Sequence, residues 1–172
     1  MQQVKWFERK FDFDFQQNIF PSIIERLRGT PILLNHKVAQ TPTPIFTQRD
    51  MDKWSMQEHL GHLLLLEPLW QGRLQDVLNG EEYLREADLS NTATQEANFN
   101  QQITEKILEE FVQLRSQTIS QLEQVTEAQI YHTALHPRLM QPMRIMDLFL
   151  FVAEHDDHHL AAMSNLSIAL GF

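Results

Sequence analysis

Glu154-His155-Asp156-Asp157-His158-His159 places three of the chain's eight histidines within six residues. The stretch interrupts an otherwise apolar run from Ile145 to Leu170. Leu148, Phe151, Val152, His155, His159, Ala162, Met163 and Leu166 recur at spacings of three and four, which is one face of an α-helix. Pro142 suits the first turn of that helix, and the pattern carries it to about Ala169. His155 and His159 therefore stand one turn apart inside the apolar stripe. Their imidazoles point into a core, where each polar group needs a partner. His158 is rotated by about 100° from His159 and faces outward or supports the other two from behind. Asp156 and Asp157 read the same way, as outward or supporting acids.

Upstream of this helix the chain is also helical. Phe7, Phe11, Phe15, Ile19, Ile23 and Leu27 recur every four residues and predict a first amphipathic helix, kinked or split at Pro21 and capped at Gly29. Thr30-Pro31 predicts a short second helix. Thr41-Pro42-Thr43-Pro44 opens a non-helical connection that runs to about Lys53. Ser55 and Glu58 form the Ser-x-x-Glu capping box, so a further helix begins at Met56. It carries His59 and His62, is apolar nearly all round and therefore central, bends at Pro68, and ends at Asn79-Gly80. Residues 81–98 are polar and predict a loop with at most a short helix. Ile103, Ile107, Phe111, Leu114, Thr118, Leu122 and Val125 predict another helix with one narrow buried face. Residues 126–141 form a connection, and no strand pair is expected. The sum is an all-α, four-helix-bundle domain over residues 1–172 with one or two short extra helices.

Composition removes several function classes. The chain has no cysteine, which excludes disulfides, thiolate zinc sites and a cysteine nucleophile. Any metal must be held by nitrogen and oxygen. The formal net charge of −9 and the lack of a basic cluster speak against nucleic-acid binding. No signal peptide or membrane-length apolar run is visible, so a soluble, cytoplasmic protein without membrane attachment is expected.

One histidine on an apolar face is more often a hydrogen-bonded core residue than a ligand. Two at i and i+4 need partners of their own, and His62 on the buried central helix offers a third imidazole. His59 competes for that place, but its first-turn position is explained by packing against Trp54 or by solvent. Glu58 is already explained by the capping box. His155-x-x-His158 is an alternative helical pair, and the apolar stripe favours His159. Three neutral imidazoles with open positions form the catalytic rather than the structural pattern of metal site. Other templates fit poorly. The His-Glu-x-x-His of a zincin is absent, no glutamate lies three residues before a histidine as a di-iron bundle needs, and no Gly-x-Ser-x-Gly or phosphate-binding glycine loop occurs.

Trp54-Ser55-x-x-Glu58-x-x-Gly61-His62-Leu63, followed by His155-x-x-x-His159, resembles the DinB/YfiT-like family of metal-dependent enzymes. The likeness extends over essentially the whole chain, including His136-Pro137-Arg138-Leu139. It implies an up-down-down-up four-helix bundle, homodimers in many members, and His62, His155 and His159 as ligands of a divalent metal, zinc or nickel. It also implies either a thiol transferase or isomerase acting through a low-molecular-weight thiol, or a hydrolase in which the metal activates water, on a small-molecule substrate. No separate catalytic acid or base stands out, so a non-catalytic, dimeric bundle that binds metal or ligand is the competing reading. His136 and Arg138 are placed to reach the mouth of the site. Arg138 and Arg144 are candidates for holding a substrate carboxylate. Against that stand a solvent-facing loop charge for Arg138 and a surface ion pair for Arg144.

Overall fold

The computed structural model describes residues 3–172 of the chain. Its main elements are α1 (Phe20–Gln40), α2 (Thr43–Phe46), α3 (Met56–Leu78), α4 (Thr92–Glu96), α5 (Thr104–Leu122), β1 (Thr133–Leu135), β2 (Pro142–Arg144) and α6 (Ile145–Ala169). Each of α1 and α3 packs against both α5 and α6, so the four long helices form a ring in the order α1, α5, α3, α6.

Two apolar clusters set the directions of the helices. One gathers Leu34 from the end of α1, Leu60 and Leu63 from the start of α3, Ile107 and Phe111 from the start of α5, and Met163 and Leu166 from the end of α6. The other gathers Ile23 and Leu27, Trp70 and Leu74, Leu122, and Leu148 and Val152 from the opposite ends. Helices α1 and α6 therefore run together and against α3 and α5, giving the up-down-down-up bundle. Because α3 and α5 are parallel neighbours, residues 79–103 must carry the chain back along the length of the bundle. This explains why that connection is long and carries α4.

Between the two apolar clusters every long helix contributes buried polar residues: Thr30 from α1, Glu67 from α3, Arg115 and Thr118 from α5, and His155, Asp156 and His159 from α6. Arg115 pairs with both Glu67 and Asp156, while Thr30 and Thr118 donate hydroxyl hydrogen bonds to Asp156 and Glu67. Asp156 is thus a fully buried member of an ion-pair network and not an outward acid. Asp157 is exposed and pairs with Arg26.

Helix starts follow the capping chemistry. Ser55 Oγ accepts from the Glu58 N–H at 3.1 Å, and Glu58 Oε2 accepts from the Ser55 N–H at 2.8 Å, completing the expected box at α3. Asn79 and Gly80, whose φ is +75°, end that helix where expected. Gly61 lets Phe99 approach closely, since a Cβ there would fall 2.3 Å from the Phe99 ring.

The structure corrects the sequence reading of the N-terminal third. The first helix does not begin near Phe7. Residues 9–19 are irregular after a short turn at Trp6–Glu8, and α1 starts at Phe20 with Pro21 in its first turn. Proline disfavours helical backbone in the residue before it and is welcome at a helix start, so Pro21 opens a helix here and does not kink one. Nor does Gly29 cap anything: α1 continues through Thr30-Pro31 to Gln40. Pro31 cannot donate to the Leu27 carbonyl four residues back. That carbonyl instead accepts from Arg115 Nη1 at 3.3 Å, so tertiary contact supplies what the helix lacks. Thr43–Phe46 forms one helical turn where a non-helical connection was expected, with Pro44 in its first turn. A strand pair also exists. Thr133, Ala134 and Leu135 pair antiparallel with Arg144, Met143 and Pro142. Pro142 therefore belongs to β2, and α6 begins at Ile145, where Asp147 accepts from the Arg144 N–H at 3.0 Å.

Candidate metal centre

The capped α3 and the apolar stripe of α6 meet with their histidines facing each other. His62, His155 and His159 are all buried, and each offers one ring nitrogen such that the three nitrogens lie within 4.8 Å of one another. Ring nitrogens held at about 2.0–2.1 Å by a tetrahedral ion stand roughly 3.3 Å apart. His155 Nε2 and His159 Nε2 are 3.1 Å apart, close to that spacing. A nitrogen-only donor set from three imidazoles suits first-row divalent ions such as zinc or nickel. His155 Nδ1 is buried without a hydrogen-bond partner among the described residues, an unpaired polar atom of the kind usual at functional sites.

The surrounding groups orient these rings. His62 Nδ1 lies 3.0 Å from Thr94 Oγ1 on α4, which leaves Nε2 as its free nitrogen. His59 Nδ1 and His159 Nδ1 are 2.8 Å apart, so one of the two carries the proton and donates it to the other. If His159 is the donor, its Nε2 lone pair is left for the site, the tautomer control expected of a partner behind a metal-binding imidazole. His59 also packs on Trp54 with ring centroids 5.5 Å apart, as its position in the first turn suggested. His158 stands at the side. Its Nδ1 accepts from Gln3 Nε2 at 2.9 Å, and its ring packs on Trp6.

Burial keeps all of these histidines neutral. It pulls the pKa of His59 and of His62 down to about 4 from 6.5, with neighbouring histidines adding to the effect at His59. His155 and His159 are held well below the usual value, by burial first and then by the histidines around them. Neutral imidazoles have the lone pairs that a metal requires.

The histidines border a cavity of about 430 Å³. Its walls include Trp6 and Phe7 from the N-terminal segment, Trp54 from the connection just before α3, Trp70 and Phe151 from the bundle helices, and His136 and Arg138 from the loop between β1 and β2. Trp6 meets His155 edge-on with centroids 4.8 Å apart, and Trp70 meets the same ring at 5.9 Å. His136 and Arg138 thus reach the site as the sequence suggested. Arg144 does not line the cavity. It pairs with Asp147 and donates to the Phe13 and Phe15 carbonyls, which makes it a clamp on the N-terminal segment.

Sequence reasoning missed four contributors. Thr94 lies in a polar loop without periodicity, and nothing in its context marks it. Phe7 was absorbed into a helical pattern that does not form, and its neighbour Trp6 was not singled out. Arg73 lies on α3 eleven residues after His62, three helical turns along, and that spacing was the available signal.

The sequence matches the family model of the DinB superfamily over residues 26–163. Among solved structures, YfiT from Bacillus subtilis superposes with a TM-score of 0.81 at 19% identity, covering 96% of this chain and 95% of that one. It is described as "a probable metal-dependent hydrolase with an unusual four-helix bundle topology". The mycothiol-dependent maleylpyruvate isomerase superposes with a TM-score of 0.68 at 8% identity, covering 84% of this chain and 60% of that one. A search among curated proteins finds no significant match.

Proposed function

The chain belongs to the DinB superfamily, and from that premise we propose that it is a metal-dependent enzyme acting on a small molecule, with His62, His155 and His159 holding a divalent ion, zinc or nickel. The observation that carries this reading is the set of three buried, neutral imidazoles whose nitrogens converge within 4.8 Å at the edge of an aromatic cavity. Three buried imidazoles at such range are costly to satisfy with one another alone, and an ion accepts all three lone pairs at once. Such an ion, when bound, lowers the pKa of a thiol or water and polarises a carbonyl.

The protein's own residues account for the remaining work. Thr94 and His59 set the orientation of His62 and His159. Trp6, Trp54 and Trp70 keep bulk water from the histidines and offer flat apolar faces to a substrate. His158 lines the cavity, is only partly buried, and is held below its usual pKa by burial and by Arg9, so it is the group best placed to exchange a proton with solvent. Two nucleophiles fit the site. A low-molecular-weight thiol, as the name of the mycothiol-dependent relative suggests, would make the enzyme a transferase or isomerase. Water, as the description of the Bacillus subtilis relative suggests, would make it a hydrolase.

Metal analysis of untagged protein tests the centre. About one equivalent of zinc or nickel is expected in the wild type, falling to background in His155→Ala. Sub-stoichiometric metal that does not change in the variant would sink the proposal. Metal-loaded protein would then be incubated with a panel of thiols and electrophiles, beside simple esters and amides. Turnover above a His62→Ala control is expected in one of the two sets, and silence in both would favour a non-catalytic, ligand-binding bundle.

A further inference from the structure

Seven of the nine arginines form ion pairs with carboxylates. Arg73 and Arg138 have no such partner among the described residues, and both line the cavity. Arg73 is 2% exposed. An unpaired guanidinium at that depth is expensive unless something in the site compensates its charge.

The hydrogen bonds around His136 sharpen the point. His136 Nδ1 receives the backbone N–H groups of Arg138 at 3.1 Å and Leu139 at 3.2 Å, so this nitrogen is an acceptor and carries no proton. The ring proton of the neutral imidazole must then sit on Nε2. His136 Nε2 lies 3.2 Å from Arg73 Nη1, which is also a donor. Two N–H groups therefore meet with no acceptor between them. Arg138 adds a third: its Nη2 is buried and has no hydrogen-bond partner among the described residues. Its guanidinium lies over Phe7 at 5.2 Å and Phe151 at 6.0 Å, in the cavity wall. Glu86 and Asp88 also border the cavity, but neither pairs with either arginine, and Asp88 is engaged by Ser90 and Ala93.

We propose that Arg73, His136 and Arg138 form a subsite for the carboxylate of the substrate, which is therefore a small organic acid with an apolar or aromatic body. A carboxylate offers two oxygens and about four lone pairs, enough to accept from the conflicting donors and from Arg138 together. Trp70 ties the subsite to the metal centre. Arg73 lies over its ring at 5.5 Å, and His155 packs against the same ring at 5.9 Å. A molecule anchored by its carboxylate would lay its body along Trp70 and Phe151 and present its far end to the histidines. Burial first, and then the nearby Arg138 and Arg85, draw the Arg73 pKa down to about 10 although Asp76 pulls the other way, and Asp76 itself is ion-paired with Arg85.

This inference rests on the reading of the cavity as the reaction site, and its test keeps the two apart. All three tryptophans of the chain line the cavity, so intrinsic fluorescence reports on it directly. Benzoate and benzamide, which differ in charge and little in shape, would be titrated into the metal-free protein. Saturable binding of benzoate is expected, with benzamide at least ~10-fold weaker. Arg138→Gln should weaken benzoate by a similar factor while keeping the wild-type metal content, and Arg73→Gln should do the same if it folds. His62→Ala should lose the metal and still bind benzoate. Equal affinity for the two probes, no saturable response to benzoate, or wild-type affinity in Arg138→Gln would overturn the subsite. A wild-type protein that binds benzoate but carries no metal as purified and takes up none when zinc or nickel is added would sink the metal centre alone.

Discussion

At the scale of single residues, Arg115 is the most constrained position in the bundle. Its guanidinium lies between Glu67 and Asp156 and also supplies the Leu27 carbonyl that Pro31 leaves unpaired. Burial alone would lower its pKa, but Asp156 and Glu67 outweigh that and raise it, so the side chain stays charged. Arg115→Leu would leave two carboxylates facing each other in the core, with one carbonyl unsatisfied. Breaking a buried pair in this way costs roughly 3–5 kcal/mol. The expected outcome is a large drop in the urea midpoint, or failure to fold. A midpoint within experimental error of wild type would show that the network is not holding the helices. Replacing Arg115, Glu67 and Asp156 together by apolar residues of similar volume should recover much of the loss, because no unpaired charge would remain. Asp156 adjoins His155 along α6, so the network also fixes the rotation that turns His155 and His159 inward.

At the scale of elements, the N-terminal segment is a strap laid across the histidine end of the cavity. Gln3 holds His158, Arg9 and Glu154 form an ion pair, and Arg144 grips the Phe13 and Phe15 carbonyls. Trp6 packs on His155, Phe11 and Phe151. Trp6→Ala should therefore speed removal of the proposed metal by a chelator while the initial stoichiometry stays at one, since Trp6 covers His155 and offers no ligand atom of its own. Removal at the wild-type rate would mean that the strap does not control access. This segment is also where the sequence was least legible. Phe7, Phe11 and Phe15 recur every four residues, yet Pro21 had already fixed the start of α1, and the aromatic side chains pack from an irregular chain. Period alone cannot separate a helix from a strap whose aromatics meet a core at similar intervals. The β1–β2 pair was hidden because each strand has three residues, too short for alternation to show. In contrast, α3 and α6 were legible from one capping box and one apolar stripe, and these helices carry His62, His155 and His159. Of the groups that complete the site, His136 was placed near its mouth from the loop before the last helix, whereas Thr94 was not, because it acts through a tertiary contact that no local pattern records.

At the scale of the whole molecule, burying so many histidines makes stability depend on pH. Burial holds His59 and His62 near a pKa of about 4 and His136 near about 3, against 6.5 in the unfolded chain, and it holds His155 and His159 well below 6.5. Between pH 6.5 and about 4 the unfolded chain binds protons that the folded protein excludes, so stability is full above 6.5 and falls as pH drops through that window. Each such group withdraws up to ~1.4 kcal/mol per pH unit there, and several act together. Urea unfolding of the metal-free protein at pH 7.5, 6 and 5 should show a midpoint that decreases steadily. Glu58 and Glu154, whose pKa values are lowered from 4.5, contribute in the same direction but mainly at lower pH. The decline between 7.5 and 5 should therefore flatten in a variant lacking His59 and His136. A midpoint independent of pH over that range would contradict the buried, neutral state of the cluster. Saturating zinc adds a second arm to the same measurement. An ion that binds the folded state alone stabilises it by mass action and competes with protons for the same nitrogens. The midpoint should then rise most at pH 7.5, and the gain should shrink as protons displace the metal. Equal gains at pH 7.5 and pH 5 would mean that the ion binds somewhere other than the histidines.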